Sequence, residues 1–321
     1  MRRLRCLALL FCLVSCAAPA QQYPTRPVRV LIPFTAGSAA DIIARAMEPA
    51  LRERLGQPLV IDNRGGAGGN IAAELTAKST PDGHTIMMAT IGTHAINHSL
   101  YSKLAIHPIR DFTPVGLVGE SPNALVINPK VQAGTIQDLI ALAKSKPGQL
   151  IYGSSGAGTT VHLSAELFSV MTGIKMIHVP HKGAAEALAS LLGGQTDLMF
   201  ASLSSSIPLI KAGRLKAFAV TGAQRSPSIP ELPTVAEAAN LPGYAASAWF
   251  GVVGPSRVPK TAVAVLSKAT LSALEDADVR KRLFNAGVEI RTSSPQDFAR
   301  YIESEMKKWE KVVKASGAKV D

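Results

Sequence analysis

The sequence predicts an α/β fold in two lobes. Short apolar runs typical of buried strands alternate with segments that carry apolar residues at helical spacing, and this alternation is typical of sheets covered by helices. The series occurs twice, over residues 28 to 90 and again from about residue 124. The chain of 321 residues is also longer than one hydrophobic core usually serves. We therefore expect two similar lobes with mixed, mostly parallel sheets.

The first series predicts three strands and two helices. The strands are VRVLIPF at 28 to 34, LVIDN at 59 to 63 and HTIMMAT at 84 to 90. Residues 42 to 56 place Ile43, Met47 and Leu51 on one helical stripe that ends at Gly56, and residues 70 to 79 form the second predicted helix.

The second series predicts strands at ALVIN, LIYG, MIHVP, TDLMFA and LKAFAVT. Helices are expected from Thr135, over 160 to 172 and over 183 to 193, with a short helix before LKAFAVT. Three prolines in 225 to 234 predict a loop. Beyond it we expect a strand at 248 to 254, one helical stretch over 259 to 286, the short strand VEIR and an amphipathic helix over 295 to 315.

The N-terminus has the pattern of an export signal. The basic stretch MRRLR precedes the apolar run CLALLFCLV and then Ala18-Pro19-Ala20, which favours cleavage after Ala20 and a signal peptide over 1 to 20. LVSC at 13 to 16 offers the alternative of a lipidated Cys16. All three cysteines precede residue 21, so cleavage at Ala20 leaves no disulfide and no thiol. We expect a periplasmic protein.

The charge balance argues against a nucleic-acid partner. The formal net charge of +11 falls to +8 once Arg2, Arg3 and Arg5 leave with the signal. The remaining basic residues are spread along the chain and aromatic residues make up only 5% of it, so a stacking platform for bases is poorly supplied. A basic surface that mildly favours small anions is the better interpretation.

Glycine-rich loops with hydroxyl side chains follow four predicted strands, at 33 to 41, 63 to 70, 90 to 97 and 152 to 160. Ligands of open α/β sheets bind beyond the carboxyl ends of strands, where unpaired N–H groups of helix N-termini point outward. Uncharged N–H and hydroxyl donors suit a carboxylate. Ordinary strand-to-helix connections are the alternative for any single loop.

Several enzyme motifs are incomplete. A phosphate-binding P-loop needs lysine where Thr159 stands, the nucleophile elbow needs glycine where Ala157 stands, and GGAGGN lacks the third glycine of a dinucleotide site in register. The pairs His94 with His98 and His178 with His181 have no acidic cluster beside them, so we expect no metal. We expect no cofactor and no catalysis.

Four segments together resemble the Bug/TctC family, the periplasmic substrate-binding receptors of tripartite tricarboxylate transporters. They are YPTRPVRVLIPFTAGSAADIIAR, NRGGAGGNIAAE, PDGHTIMMATIGTHAIN and VPHKGAAEALASLLGGQTDLMFA. The resemblance implies a two-lobe periplasmic-binding-protein fold, a type II Venus flytrap. It assigns residues 23 to 122 and 247 to 321 to lobe 1 and residues 123 to 246 to lobe 2.

The resemblance also implies a carboxylate held in the cleft by backbone N–H groups and waters. The matching positions are Phe34, Thr35, Ala36, Gly37 and Ser38 in one loop, Ser154, Ser155, Gly156, Gly158, Thr159 and Thr160 in the other, and Thr93, His94 and Asn97 in a third wall. Phe34, Phe200 and Trp249 are candidate apolar contacts, with core packing as the alternative.

Two departures from the family pattern bear on the ligand. Ser38 replaces a second glycine, and Ala201 stands where an acidic residue often meets a ligand ammonium. We therefore expect the ligand to be a dicarboxylate or another organic acid, such as an aromatic acid, rather than an amino acid. The receptor is expected to be a monomer, with membrane transporter subunits as partners. The alternatives are a sensor or adaptor for a membrane kinase and a hydrolase or transferase acting on a small carboxylate.

Overall fold

The computed structural model of the protein describes residues 23 to 181 and 183 to 320, without the side chain of Ser204. The predicted export signal and both of its processing sites lie outside the described residues. The strands are β1 Val28–Ile32, β2 Leu59–Asn63, β3 Thr85–Thr90, β4 Phe112–Ser121, β5 Asn123–Ile127, β6 Ile151–Ser154, β7 Ile177–Pro180, β8 Leu198–Ser202, β9 Lys216–Val220, β10 Ala248–Pro255 and β11 Glu289–Ile290.

The helices cover these strands, as the alternating pattern predicts. They are α1 Ala39–Leu55, α2 Asn70–Ala77, α3 Asn97–Leu100, α4 Ile136–Ser145, α5 Thr160–Thr172, α6 Ala184–Gly193, α7 Leu203–Lys211, α8 Val235–Ala238, α9 Lys260–Glu275, α10 Ala277–Asn285 and α11 Pro295–Ser316. A 3-10 turn at Ala67–Gly69 and a π-helical turn at Gly92–Ile96 precede α2 and α3.

Each lobe is built on one mixed sheet. The first sheet has the order β11-β4-β10-β3-β1-β2, with β1 parallel to both β2 and β3. The second has the order β7-β6-β8-β5-β9, with β6 parallel to β7 and β8. Because β1 and β6 are followed directly by a loop and a helix, the two lobes place equivalent strand-to-helix connections beside the space between them.

Parallel pairing is less extensive than the sequence predicts. Four of the nine strand pairs are parallel and five are antiparallel. The antiparallel pairs involve β4, β5 and β10, which lie next to the connections between the lobes. β5 and β10 are the first strands after the two connections, and each runs antiparallel to both of its neighbours. No local pattern in the sequence marks that reversal.

The division of one predicted helix and the presence of one further strand also differ from prediction. The stretch expected as one helix over 259 to 286 is two helices, because Asp276 is extended (φ −62°, ψ 131°) and its side chain caps α10 by accepting the N–H groups of Asp278 and Val279. Strand β4 was not predicted. Pro114, Gly116 and Gly119 interrupt its apolar residues, so it lacks the alternation typical of a strand.

Thr221 joins the two connections between the lobes. Its hydroxyl accepts the N–H of Asn123, 2.8 Å away on the first connection, and donates to the carbonyl of Ala246, 2.7 Å away on the second. Ser164 of α5 also contacts both connections, through the amide of Asn123 at 3.1 Å and the carbonyl of Ala246 at 3.4 Å. The hinge region is therefore a compact hydrogen-bonded unit.

The C-terminal helix α11 packs against both lobes. Its buried residues Phe298, Ile302 and Trp309 belong to the same hydrophobic cluster as Leu163 and Phe168 of α5. The last helix therefore contributes to the core on both sides of the connections.

Candidate functional site

A cavity of about 280 Å³ lies between the two lobes. The first lobe and the connections contribute Phe34, Ala39, Ala40, Gly68, Thr90, Ile91, Gly92, Ile96, Asn97, Leu100, Tyr101, Ser121, Asn123, Ala248, Trp249 and Phe250. The second lobe contributes Ser155, Ala157, Gly158, Thr159, Thr160, Val161 and Ser202. This lining contains no Asp, Glu, Lys, Arg or His, so any polar ligand group meets amide, hydroxyl and backbone groups only.

One wall of the cavity is the N-terminus of α1. Ser38 caps this helix, and its hydroxyl accepts the N–H of Asp41 at 3.4 Å. Ala39 and Ala40, in the first turn, line the cavity. First-turn N–H groups have no partner within the helix and carry the positive end of its dipole, so this wall favours an anion.

Asp41 and Asn63 hold the loop before α1 in shape. The carboxylate of Asp41 accepts the N–H of Gly37 at 2.9 Å and the Nε of Arg45 at 3.0 Å. The amide of Asn63 donates to the carbonyl of Phe34 at 3.0 Å and to Asp41 at 3.1 Å. Burial alone would raise the pKa of Asp41, but these hydrogen bonds outweigh it and lower that pKa, so Asp41 is ionised.

The N-terminus of α5 forms the facing wall. Thr159 caps the helix: its hydroxyl accepts the N–H of His162 at 3.3 Å and donates to the carbonyl of Gly156 at 2.7 Å. Thr160 and Val161, in the first turn of α5, line the same cavity as Ala39 and Ala40 in the first turn of α1. Two helix N-termini therefore approach one cavity from the two lobes.

Histidines support the second loop from behind. The ring of His162 accepts the N–H of Gly158 through Nδ1 at 3.1 Å, and the Nε2 of His178 lies 2.6 Å from the hydroxyl of Ser154. The two rings stack with centroids 4.0 Å apart. Burial, with a smaller effect of the neighbouring histidine, lowers the pKa of His162 to about 3 and that of His178 to about 4. Both rings are neutral at pH 7, as acceptance by His162 requires.

The predicted third wall is only partly at the cavity. Asn97 lines it, but its amide nitrogen donates to the carbonyl of Gly68 at 3.0 Å and to the side chain of Asn70 at 2.7 Å. Thr93 and His94 are fully buried behind the lining, with 2.9 Å between the Thr93 hydroxyl and the His94 Nδ1. Burial lowers the pKa of His94 to about 3.

The predicted residues divide into those that line the cavity and those that do not. Phe34, Asn97, Ser155, Gly158, Thr159 and Thr160 line it. Outside the lining are Thr35, Ala36, Gly37, Ser38, Thr93, His94, Ser154, Gly156 and Ala201. Of these, Gly37, Ser38, Ser154 and Gly156 shape the two loops through the bonds described above or, for Gly156, through its N–H to the Ser154 hydroxyl at 3.2 Å.

Two predicted contacts on β8 are not part of the cavity lining. Ala201 and Phe200 are fully buried in the hydrophobic core, whereas the next residue, Ser202, lines the cavity. Phe34 and Trp249, the other two candidate aromatics, do line it. The sequence did not indicate Tyr101, Ser121 or Asn123. Tyr101 follows the short helix α3, and Ser121 and Asn123 lie at a connection between the lobes; no local pattern marks either place as part of a cavity.

No metal or membrane feature is found within residues 23 to 181 and 183 to 320. No group of three or more His, Cys, Asp or Glu side chains in these ranges is arranged to hold a metal ion, and no helix there is long and apolar enough to cross a bilayer. His178 and His181 have different neighbours: His178 contacts Ser154, whereas His181 lies 3.8 Å from Glu186.

Residues 43 to 318 match the family model described as the tripartite tricarboxylate transporter family receptor. Among curated relatives, protein BugT of Bordetella pertussis is 33% identical over 322 residues, covering 99% of this chain and 98% of BugT.

Two solved structures with named acids are also similar. The structure of R. palustris Rpa4515 with adipate is 41% identical in sequence, with a TM-score of 0.80 and coverage of 92% of this chain and 98% of that one. MatC from Rhodopseudomonas palustris with bound malate is 34% identical, with a TM-score of 0.77 and coverage of 91% and 100%. The periplasmic binding protein BugD is 30% identical, with a TM-score of 0.77 and coverage of 92% and 99%.

Proposed function

The chain belongs to the tripartite tricarboxylate transporter receptor family, and we propose that it captures a small organic acid in the cavity between its lobes and delivers it to a membrane transporter. The site is proposed to act in the periplasm and to break no bond. Similar proteins carry adipate and malate in their structures, which supports an acid as the ligand.

The observation that carries this proposal is the pair of helix N-termini facing one uncharged cavity. The first turns of α1 and α5 present N–H groups at Ala39, Ala40, Thr160 and Val161. A carboxylate bound between them exchanges water for oriented N–H donors and interacts favourably with both dipoles. A triphosphate would also require compensating cations, which this lining lacks.

The lining also bears on the kind of acid. Phe34, Ile91, Leu100 and Trp249 provide apolar surface, while Asn123 and Ser202 provide neutral polar groups away from the two loops. An amino acid would bury its ammonium without a carboxylate partner, which is costly. We therefore propose an organic acid without an amino group, either a dicarboxylate or an acid with an apolar body.

A thermal-shift screen tests this function. The protein is heated with mono-, di- and tricarboxylates, adipate and malate among them, and with amino acids, because a ligand that binds only the folded state raises Tm. We expect at least one carboxylate to raise Tm, no amino acid to do so, and the acid to be recovered unchanged after incubation. Conversion of the acid into a product would contradict a receptor.

Two variants tie the shift to the second loop. Ser155→Ala and Thr159→Ala should weaken binding, the first at the lining and the second by releasing the carbonyl of Gly156. Thr172→Ala is the matched control, because its hydroxyl bonds to the carbonyl of Phe168 at the other end of α5. Wild-type affinity in both loop variants would count against this loop as the acid site.

A further inference from the structure

Glu305 is a buried carboxylate beneath the wall of the cavity. It lies on α11, its side chain is 7% exposed, and none of its atoms is needed to cap or end that helix. Its Oε2 accepts the indole N–H of Trp249 at 3.2 Å and that of Trp309 at 3.0 Å. These are the only two tryptophans in the sequence, and one of them, Trp249, lines the cavity.

The carboxylate is itself anchored to the hinge region. The ammonium of Lys308 pairs with Oε1 of Glu305 and also donates to the carbonyl of Ala245 at 3.3 Å. Ala245 precedes Ala246, whose carbonyl accepts the hydroxyl of Thr221. Ala245, to which Lys308 is bonded, and Trp249 therefore lie four residues apart on the same connection between the lobes.

The ring contacts of Trp249 leave its indole N–H in need of a hydrogen-bond acceptor. Phe298 meets its ring edge-on with centroids 5.6 Å apart, and Tyr301 is tilted against it at 5.8 Å. Both contacts are apolar on the side of Trp249, so its N–H would be buried without a partner if Glu305 were absent. Removing a charged acceptor leaves a buried N–H group unpaired, which is strongly unfavourable. The indole would therefore lose the interaction that stabilises its present position.

We propose that Glu305 is a positioning residue of the acid site, which fixes the indole of Trp249 in the cavity wall from behind. This inference rests on the proposed function for its effect on affinity, but the orientation of Trp249 is independent of any ligand. Glu305 does not touch the cavity, and its effect on binding passes through Trp249.

The first test needs no ligand. In a Trp309→Phe background, Trp249 is the sole tryptophan, and its anisotropy decay and acrylamide quenching report how firmly it is held. Glu305→Gln keeps an acceptor oxygen and should leave both measurements unchanged. Glu305→Met fills similar volume without an acceptor and should give faster anisotropy decay and stronger quenching. Equal values for the Gln and Met variants would overturn the proposal.

The second test measures affinity for adipate and for the acid with the largest thermal shift. We expect Glu305→Met to lower affinity about tenfold or more, Glu305→Gln to stay close to the wild type, and Trp249→Phe to lose as much as the double variant with Glu305→Met. Additive losses would overturn action through Trp249. If Glu305→Met does not fold, wild-type affinity in Trp249→Phe would overturn the proposal by itself.

Failure of the proposed function looks different. A wild-type protein that binds none of the acids would refute the acid receptor, while the ligand-free comparison of the Gln and Met variants would still decide whether Glu305 holds Trp249.

Discussion

Replacing Gly158 with alanine should lower ligand affinity through a clash that exists only when the lobes are together. Gly158 lies in the second-lobe loop, and a Cβ built on it would stand 2.4 Å from Cδ2 of Leu100 in the first lobe. Carbon atoms normally meet at about 3.5–4.0 Å. Either Leu100 must move or the lobes must stay further apart.

The magnitude follows from the surroundings of Leu100. This side chain is 3% exposed and belongs to the largest hydrophobic cluster, and it also lines the cavity, so its displacement either disturbs packed neighbours or moves it into the space of the ligand. Overpacking of this kind costs about 1–3 kcal/mol, which corresponds to a loss of affinity of roughly 5- to 150-fold. The φ of +75° at Gly158 adds a strain of about 1–2 kcal/mol that is present in open and closed lobes alike, so it lowers stability rather than affinity.

Gly173→Ala is the matched control. Gly173 ends α5 with a φ of +69°, and an added Cβ would meet nothing within 4 Å. It should therefore reproduce the backbone strain of Gly158→Ala without the clash. Urea unfolding measures stability and isothermal titration with the screened acid measures affinity.

We expect both variants to lose similar stability and only Gly158→Ala to lose affinity. The double variant Gly158→Ala with Leu100→Ala should recover part of that affinity because the clashing methyl group is removed. Equal affinity in Gly158→Ala and Gly173→Ala would refute the contact as a requirement for the bound state.

Three other predictions concern loop shape, pH and charge. Asp41→Ala should lower the free energy of unfolding by about 1–3 kcal/mol and weaken acid binding, because the N–H of Gly37 loses its acceptor. Urea unfolding measures the first effect and titration with the acid measures the second. Wild-type affinity would contradict the role of Asp41. The pKa of His94 is about 3 in the folded protein against about 6.5 unfolded, so the unfolded state takes up the proton first and stability should fall from pH 6.5 towards pH 3, by about 2 kcal/mol at pH 5 from His94 alone. Urea unfolding at pH 7 and 5 measures this, and a His94→Leu variant with an equally steep dependence would contradict it. Ser202→Asp should weaken acid binding by about 1–3 kcal/mol through like-charge repulsion in the cavity, whereas Ser202→Asn should not; equal affinities in a titration would place the acid far from Ser202.

The loops around the cavity could be predicted from sequence because their signals are local. Glycine and hydroxyl residues between an apolar run and an amphipathic stretch mark the ends of β1 and β6. The structure adds that Ser38 and Thr159 in these loops are helix caps, a role that the sequence analysis did not assign. Their side-chain roles were less accessible. The hydroxyl of Thr159 is committed to Gly156, so it shapes the loop, and only the bonds seen in the structure reveal this.

Strand β4 could not be predicted from the sequence because contacts distant in the chain determine its glycines. A Cβ at Gly119 would lie 2.7 Å from the carbonyl oxygen of Glu289, and one at Gly116 would lie 3.2 Å from that of Ser293. These glycines allow the chain after α10 to approach β4 closely, and they also weaken the strand pattern in the sequence. The requirement comes from residues more than 160 positions away, so a local pattern does not contain it.

Long-range polar contacts were inaccessible for the same reason. Asn63 supports the loop at Phe34, and Glu305 holds Trp249, across separations of 29 and 56 residues. Each is an ordinary polar residue in its own segment, and only folding brings it to its partner. The break at Asp276 differs, because an aspartate two and three residues before the N–H groups that it caps is a local signal.

A crystal structure with the acid that gives the largest thermal shift would show whether the two helix N-termini hold the ligand. We predict a carboxylate between the lobes, with its oxygens within hydrogen-bonding distance of backbone N–H groups in residues 34 to 40 on one side and 155 to 161 on the other. An acid bound elsewhere, or held in the cavity with its carboxylate turned away from both helix N-termini, would refute the proposed site.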